Sequence, residues 1–106
     1  MKIAVSHEHK SDRVSPLFEE TKHFKLYDIE DNKVICSEVI GTMGCREKEE
    51  LVHLLLMFET DALICGELTD ESKLILSDEA ISVFSGCLGK SDDVVELMLS
   101  GVLIPV

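Results

Sequence analysis

The chain has 106 residues, 45% of them hydrophobic, and carries 21 acids against 10 bases for a net charge of −11. Residues 1–106 are expected to form one domain, large enough to bury a core without disulfide or metal staples. The acidic balance and scattered lysines and arginines argue against nucleic acid as a partner, and no apolar run reaches the roughly 18 residues of a membrane span.

The opening "MKIAVSHEHK" has a single lysine before too short an apolar run for a secretory leader, so a cytoplasmic setting is expected. Within it "KIAVS" (Lys2–Ser6) is β-branched and predicts a strand, followed by a polar loop through Pro16. "HFKLYDI" (His23–Ile29) and "KVICSEVI" (Lys33–Ile40) alternate on either side of "EDN" and predict a hairpin, with Asn32 suited to its left-handed turn. From Leu51 the apolar residues Leu51, Leu54, Leu55 and Phe58 follow helical spacing, and Val52, Leu56 and Met57 widen the stripe. "DALICG" (Asp61–Gly66) reads as a central parallel strand and "DESKLILSDE" (Asp70–Glu79) as a short helix with acids in its first turn. "AISVFSG" (Ala80–Gly86) predicts another buried strand. The final helix has Ser91 as its expected N-cap and Val94, Val95, Met98 and Val102 along one side. Strands alternating with helices call for right-handed crossovers and a mainly parallel sheet, to which the hairpin adds an antiparallel strand. The predicted architecture is a three-layer α/β/α sandwich.

In such sheets ligands bind outside the carboxyl ends of the strands. That rule brings His7, Glu8 and His9 to one rim, together with Met43 and Cys45, Cys65 and Gly66, and the turn Gly86-Cys87-Leu88-Gly89. Imidazole and thiolate there suit iron, copper or zinc. His7, Cys45 and Cys87 are the expected metal ligands, within a binding set that adds His9, Cys65, Gly66, Gly86 and Gly89. The bland alternatives are that His7 and His9 are solvated loop residues, that Cys87 is filler, and that Gly86 and Gly89 serve only a turn rather than cradling an anion. His23 and His53 read as surface residues. No C-x-x-C occurs, and Cys36 and Cys65 sit in strand-like runs where cysteine acts as a small buried hydrophobe. For Cys45 a nearby helix N-terminus favours the thiolate, while Glu47, Glu49 and Glu50 oppose it and Arg46 restores part. Cys45 is therefore placed to hold a ligand rather than to attack one.

The stretches "MKIAVS", "VSPLF" (Val14–Phe18), "FKLYDIEDNKV" (Phe24–Val34), "ICG" (Ile64–Gly66) and "GCLG" (Gly86–Gly89) occur in that order. Taken together, nearly the full chain resembles the dinitrogenase iron–molybdenum cofactor biosynthesis family. The resemblance implies a ribonuclease-H-like fold with a five-stranded mixed sheet. It also implies a non-catalytic role in binding, storing or handing on an iron–sulfur or iron–molybdenum-type cofactor or its precursor. Leu17 stands where such proteins often carry histidine, Glu19 where they carry glycine, and the loop "GTMGCREKE" has no histidine.

The leading reading is thus a binding or carrier protein for a metal cofactor or small anion. The alternative is a protein-interaction module with a degenerate ligand site, monomeric or homodimeric, in which part of "LVHLLLMF" meets a partner. A metal-dependent nuclease is disfavoured, because two-metal chemistry needs convergent carboxylates and only Glu8 and Glu67 fall at the rim. No serine–histidine–acid order, P-loop or dinucleotide fingerprint is present, so no enzyme activity is expected.

Overall fold

The computed structural model describes residues 1–42 and 44–101. Met43, expected at the rim, and Val102, expected on the last helix, lie outside the described residues. Strand β1 (Lys2–Glu8) runs through the middle of the sheet, paired antiparallel to β3 (His23–Glu30) on one side and parallel to β5 (Ala62–Ile64) on the other. The main path is β4-β3-β1-β5-β6, with β4 spanning Lys33–Gly41 and β6 spanning Ser82–Phe84. A sixth, two-residue strand, β2 (Arg13–Val14), folds back onto the end of β1 and lies within the stretch expected as a polar loop. Asp12, at a φ of 59°, makes that reversal, and its N–H closes the turn onto the Glu8 carbonyl at 2.9 Å. The sheet is mixed and open, as expected for a βαβ second half preceded by a hairpin.

Side-chain alternation along β1 sorts the core into two layers. Ala4 packs with Leu51, Val52 and Leu55 of α1 (Lys48–Met57) and with Leu76 of α2 (Asp70–Asp78). Ile3 and Val5 point the other way, onto Val94 and Val95 of α3 (Ser91–Leu99). The two layers together make the three-layer sandwich. None of the helices among the described residues is long and apolar enough to cross a membrane.

The hairpin turn forms with Asn32 left-handed, as expected, and two other local expectations change. The hairpin turn uses two left-handed residues, Asp31 (φ 51°) and Asn32 (φ 62°), the backbone that a tight two-residue hairpin needs. Cys36 is exposed rather than buried, because β4 is an edge strand exposed along its length except at Ile40. Its thiol donates to Asp28 Oδ2 at 3.0 Å. Ser91 does not cap α3: Lys90 holds the cap position, and Ser91 is the first residue inside the helix, fully buried. Its hydroxyl is committed elsewhere, at the carboxyl end of β1.

Candidate functional site

His7 lies near the end of β1 on the α3 face of the sheet and is only 2% exposed, so it is a buried strand residue and not a solvated loop one. Burial of an imidazole demands partners for both ring nitrogens. Nδ1 stands 2.6 Å from Ser91 Oγ and Nε2 stands 3.3 Å from Asp12 Oδ1. Both contacts are met when Nε2–H faces the Asp12 carboxylate and the Ser91 hydroxyl donates to Nδ1. Burial holds the His7 pKa below its ordinary value; the Asp12 carboxylate opposes this, and the neighbouring Lys25, His9 and His23 charges reinforce it. His7 is therefore neutral at pH 7.

A polar chain extends from this point. Lys25 Nζ lies 3.6 Å from Asp12 Oδ1 and 2.9 Å from Asp92 Oδ1, and the Tyr27 hydroxyl donates to Asp92 Oδ1 at 2.6 Å. The bonds from Tyr27 and Lys25 keep the Asp92 carboxyl below the usual carboxylate range, while burial and then Asp92 push the Tyr27 phenol up. Serine, histidine and acid are joined here in space. The serine is sealed in the interior, so the chain orients His7 and offers no nucleophile.

Cross-strand register sets the rest of the site. His7 pairs directly with His23, and opposed residues of an antiparallel pair share a face. His9 follows two residues after His7. The ring centroids of His9 and His23 are 5.3 Å apart, and those of His7 and His9 6.4 Å. All three line a cleft of about 410 Å³ whose walls include Lys10, Lys22 and Glu20 on the polar side and Pro16 and Leu17 on the apolar side. His23, read from the sequence as surface, belongs to the site. The signal was available: a strand antiparallel to β1 must begin where β1 ends.

The sulfurs do not join this cleft. Cys45 is half-buried in a separate depression of about 440 Å³ with Glu49, Glu50 and His53 of α1. It precedes the Glu47 cap by two residues, and burial followed by the Glu50 charge raises its thiol pKa. Cys87 packs in the α3 layer with its thiol 3.4 Å from the Phe84 carbonyl, whereas Cys65 packs in the α1–α2 layer. Burial pushes Cys87 up, and burial followed by the Cys87, Glu19 and Glu67 charges pushes Cys65 up to about 12. Among the described residues no group of three or more His, Cys, Asp or Glu is assembled to hold a metal ion. The expected trio His7, Cys45 and Cys87 is thus distributed over three places, and both His7 nitrogens are already engaged.

The rim glycines have packing reasons. A Cβ on Gly66 would stand 2.5 Å from the Pro16 carbonyl oxygen, since residues 16–18 run against Gly66 and Glu67. Gly86 (φ 71°) and Gly89 (φ 110°) adopt backbones that side chains rarely take. The N–H groups of Gly86 and Cys87 bond to the carbonyls of Gly66 and Cys65 at 2.8 and 3.1 Å, so those two donors are not free to cradle an anion. Glu19 also has a defined task. It accepts bonds from the Thr69 N–H (3.0 Å), the Thr69 hydroxyl (3.2 Å) and the Ser72 hydroxyl at the start of α2. Burial pushes its carboxyl up, but those bonds outweigh it and hold the pKa below the ordinary value. A built-in anion therefore occupies that helix N-terminus.

Comparison with known proteins decides the family. The family model described as dinitrogenase iron-molybdenum cofactor matches residues 1–101. The chain belongs to this family. No curated protein matches it significantly. Among solved structures, the fold is shared with PH0822, at 22% identity over 99% of this chain and 94% of that one, with a TM-score of 0.90. It is also similar to the mj0327 protein of Methanocaldococcus jannaschii, at 24% identity, 100% and 94% coverage and a TM-score of 0.80. The apo form of the orange protein of Desulfovibrio gigas is 18% identical over 99% and 92% of the two chains, with a TM-score of 0.86. The family is associated with a metal cofactor, and the cleft can be tested against such a group. Two lysines offset Glu8 and Glu20, while the imidazoles and an apolar wall leave room for an anion, and no cysteine is among the described residues that line the cleft.

Proposed function

We propose that this protein is a non-catalytic carrier for an anionic iron–sulfur or iron–molybdenum-type cofactor, or its precursor, held in the histidine cleft. The observation that carries this reading is the convergence of His7, His9, His23, Lys10 and Lys22 on one cleft, where Glu8 and Glu20 are the acids present, in a chain of net charge −11. The two lysines offset Glu8 and Glu20, so the cleft is locally neutral within a repelling field, and its imidazoles supply hydrogen-bond donors for an anion. Lys10 and Lys22 would neutralise the cofactor, His9 and His23 would donate to or ligate it, and Leu17 and Pro16 would shield one side from water. The four free cysteines suit a reducing compartment such as the cytoplasm. With Cys45 and Cys65 held as thiols and Ser91 sealed inside, no catalytic step is assigned.

Anaerobic titration with tetrathiomolybdate, a soluble molybdenum–sulfur anion, tests the proposal. The native chain should retain it through gel filtration, and Lys10→Glu with Lys22→Glu should lose it. Equal retention by both proteins would end the reading.

A protein-interaction role has one supporting observation of its own. The α1–α2 layer exposes Met57 (66%) and Leu74 (62%), more apolar surface than its core contacts require. Light scattering across a concentration series, with Met57→Ser and Leu74→Ser for comparison, would detect self-association through that layer.

A further inference from the structure

His7 and its two neighbours differ in one respect. The nitrogens of His7 face Ser91 and Asp12, whereas among the described residues the rings of His9 and His23 make no side-chain hydrogen bond or ion pair. Those two rings line the same cleft, His9 exposed and His23 half-buried, tilted by 33° with centroids 5.3 Å apart. The separation has a chemical meaning. Zinc–imidazole bonds are about 2.0–2.1 Å, so each ring centroid stands roughly 3 Å from a shared metal, and a tetrahedral angle then puts two centroids about 5 Å apart. The centroid separation of His9, in the turn after β1, and His23, at the start of β3, therefore matches that of two imidazoles sharing one metal.

We propose that His9 and His23 form a two-imidazole site for a late first-row divalent cation such as zinc, copper or nickel, with its other coordination positions open to the cleft. Imidazole donors select these ions over magnesium and calcium, and Glu8 and Glu20 are the carboxylates that share the cleft. His7 is the floor of the site and not a ligand, because Asp12 and Ser91 hold both of its nitrogens. Two protein ligands make an exchangeable site rather than a structural one, and a sulfur- or oxygen-bearing anion in the cleft can complete the coordination. The inference rests on the carrier reading for that anion and deepens it: the cation bridges the protein to the cargo.

Zinc titration of metal-free native protein by calorimetry at about pH 7.5, where imidazole is largely deprotonated, tests it. One equivalent should bind. His9→Gln and His23→Gln should each weaken it by about tenfold or more, the scale on which even outer-shell changes act. His53→Gln and Cys45→Ser should leave it unchanged. Circular dichroism checks folding of each variant, and in the native chain the His9 and His23 ring resonances should shift on zinc addition whatever the variants do. Undiminished binding by the His9→Gln/His23→Gln double variant, loss on Cys45→Ser, or no binding by the native chain would overturn the proposal. Tetrathiomolybdate retention measured in the presence of a chelator separates the two ideas. Retention without zinc binding ends the metal site and leaves the carrier reading intact. Zinc binding through the two histidines without retention supports the site and ends the carrier reading.

Discussion

The histidine cleft and the Cys45 depression are similar in size and both collect polar side chains near the sheet, yet they differ in how they are built. The cleft is assembled by pairing: register places His23 opposite His7, β2 folds Asp12 back toward it, and α3 delivers Ser91 from 84 residues away. The depression is assembled locally, from the loop before α1 and one face of that helix. Long-range pairing gives the cleft rigid walls, an oriented buried histidine and two lysines that balance its two glutamates. Local assembly gives the depression Glu49 and Glu50 with no lysine or arginine among its described lining residues, and burial followed by the Glu50 charge raises the cost of a thiolate at Cys45. A chemical site needs its charges held by elements that cannot drift apart, and only the first region has that.

The largest expected effect comes from removing the space that lets the cleft wall pack. Gly66→Ala drives a methyl group into the Pro16 and Ser15 carbonyls, at 2.5 and 2.7 Å. The obstructing atoms are backbone of Ser15 and Pro16, so relief requires the wall to move, and a loss of about 1–3 kcal/mol is expected from chemical denaturation. Tetrathiomolybdate binding should weaken with it. A stable variant with native binding would show the wall to be less constrained than the cleft's construction demands.

A smaller effect distinguishes His7 from the exposed histidines. Its folded pKa lies below the unfolded value of about 6.5, so below that pH the unfolded chain takes up a proton that the folded chain refuses. Stability is therefore lost as pH falls from about 6.5 towards the folded pKa, and this group's contribution levels off beneath it. Urea midpoints at neutral and mildly acidic pH should separate more for the native chain than for His7→Gln. Parallel pH profiles would mean that His7 is not held neutral by its surroundings.

The smallest effect is expected in the other region. Cys45→Ser should change stability by no more than about 0.5 kcal/mol, as for other partly exposed positions, and leave ligand retention intact. A large loss of retention would transfer the chemistry to the depression and reverse the comparison.

Periodicity made the layers legible. The Leu51, Val52 and Leu55 stripe, the Ala62–Ile64 run and the Asn32 turn each carry a local signature, and the three-layer architecture follows from their order. What periodicity cannot express is coverage and pairing. Cys36 in "KVICSEVI" reads as a small buried hydrophobe, but coverage depends on where the helices lie, and β4 is exposed along its length except at Ile40, which packs against the α1–α2 core. His7 reads as loop because β1 ends in polar residues, although β2 and α3 enclose it. The carboxyl-end rule brought His7 and His9 to the right edge. It also collected Cys45, Cys65 and Cys87, because it names an edge and not a face: Cys65 and Cys87 follow adjacent parallel strands and still pack into opposite layers.

Histidine side-chain NMR during tetrathiomolybdate titration reads the cleft most directly, since the four imidazoles of the chain act as separate reporters. Ring resonances of His7, His9 and His23 should move together and saturate while His53 stays fixed. Movement of His53 alone, or of none of the four, would contradict a shared histidine cleft as the place where this protein holds its cargo.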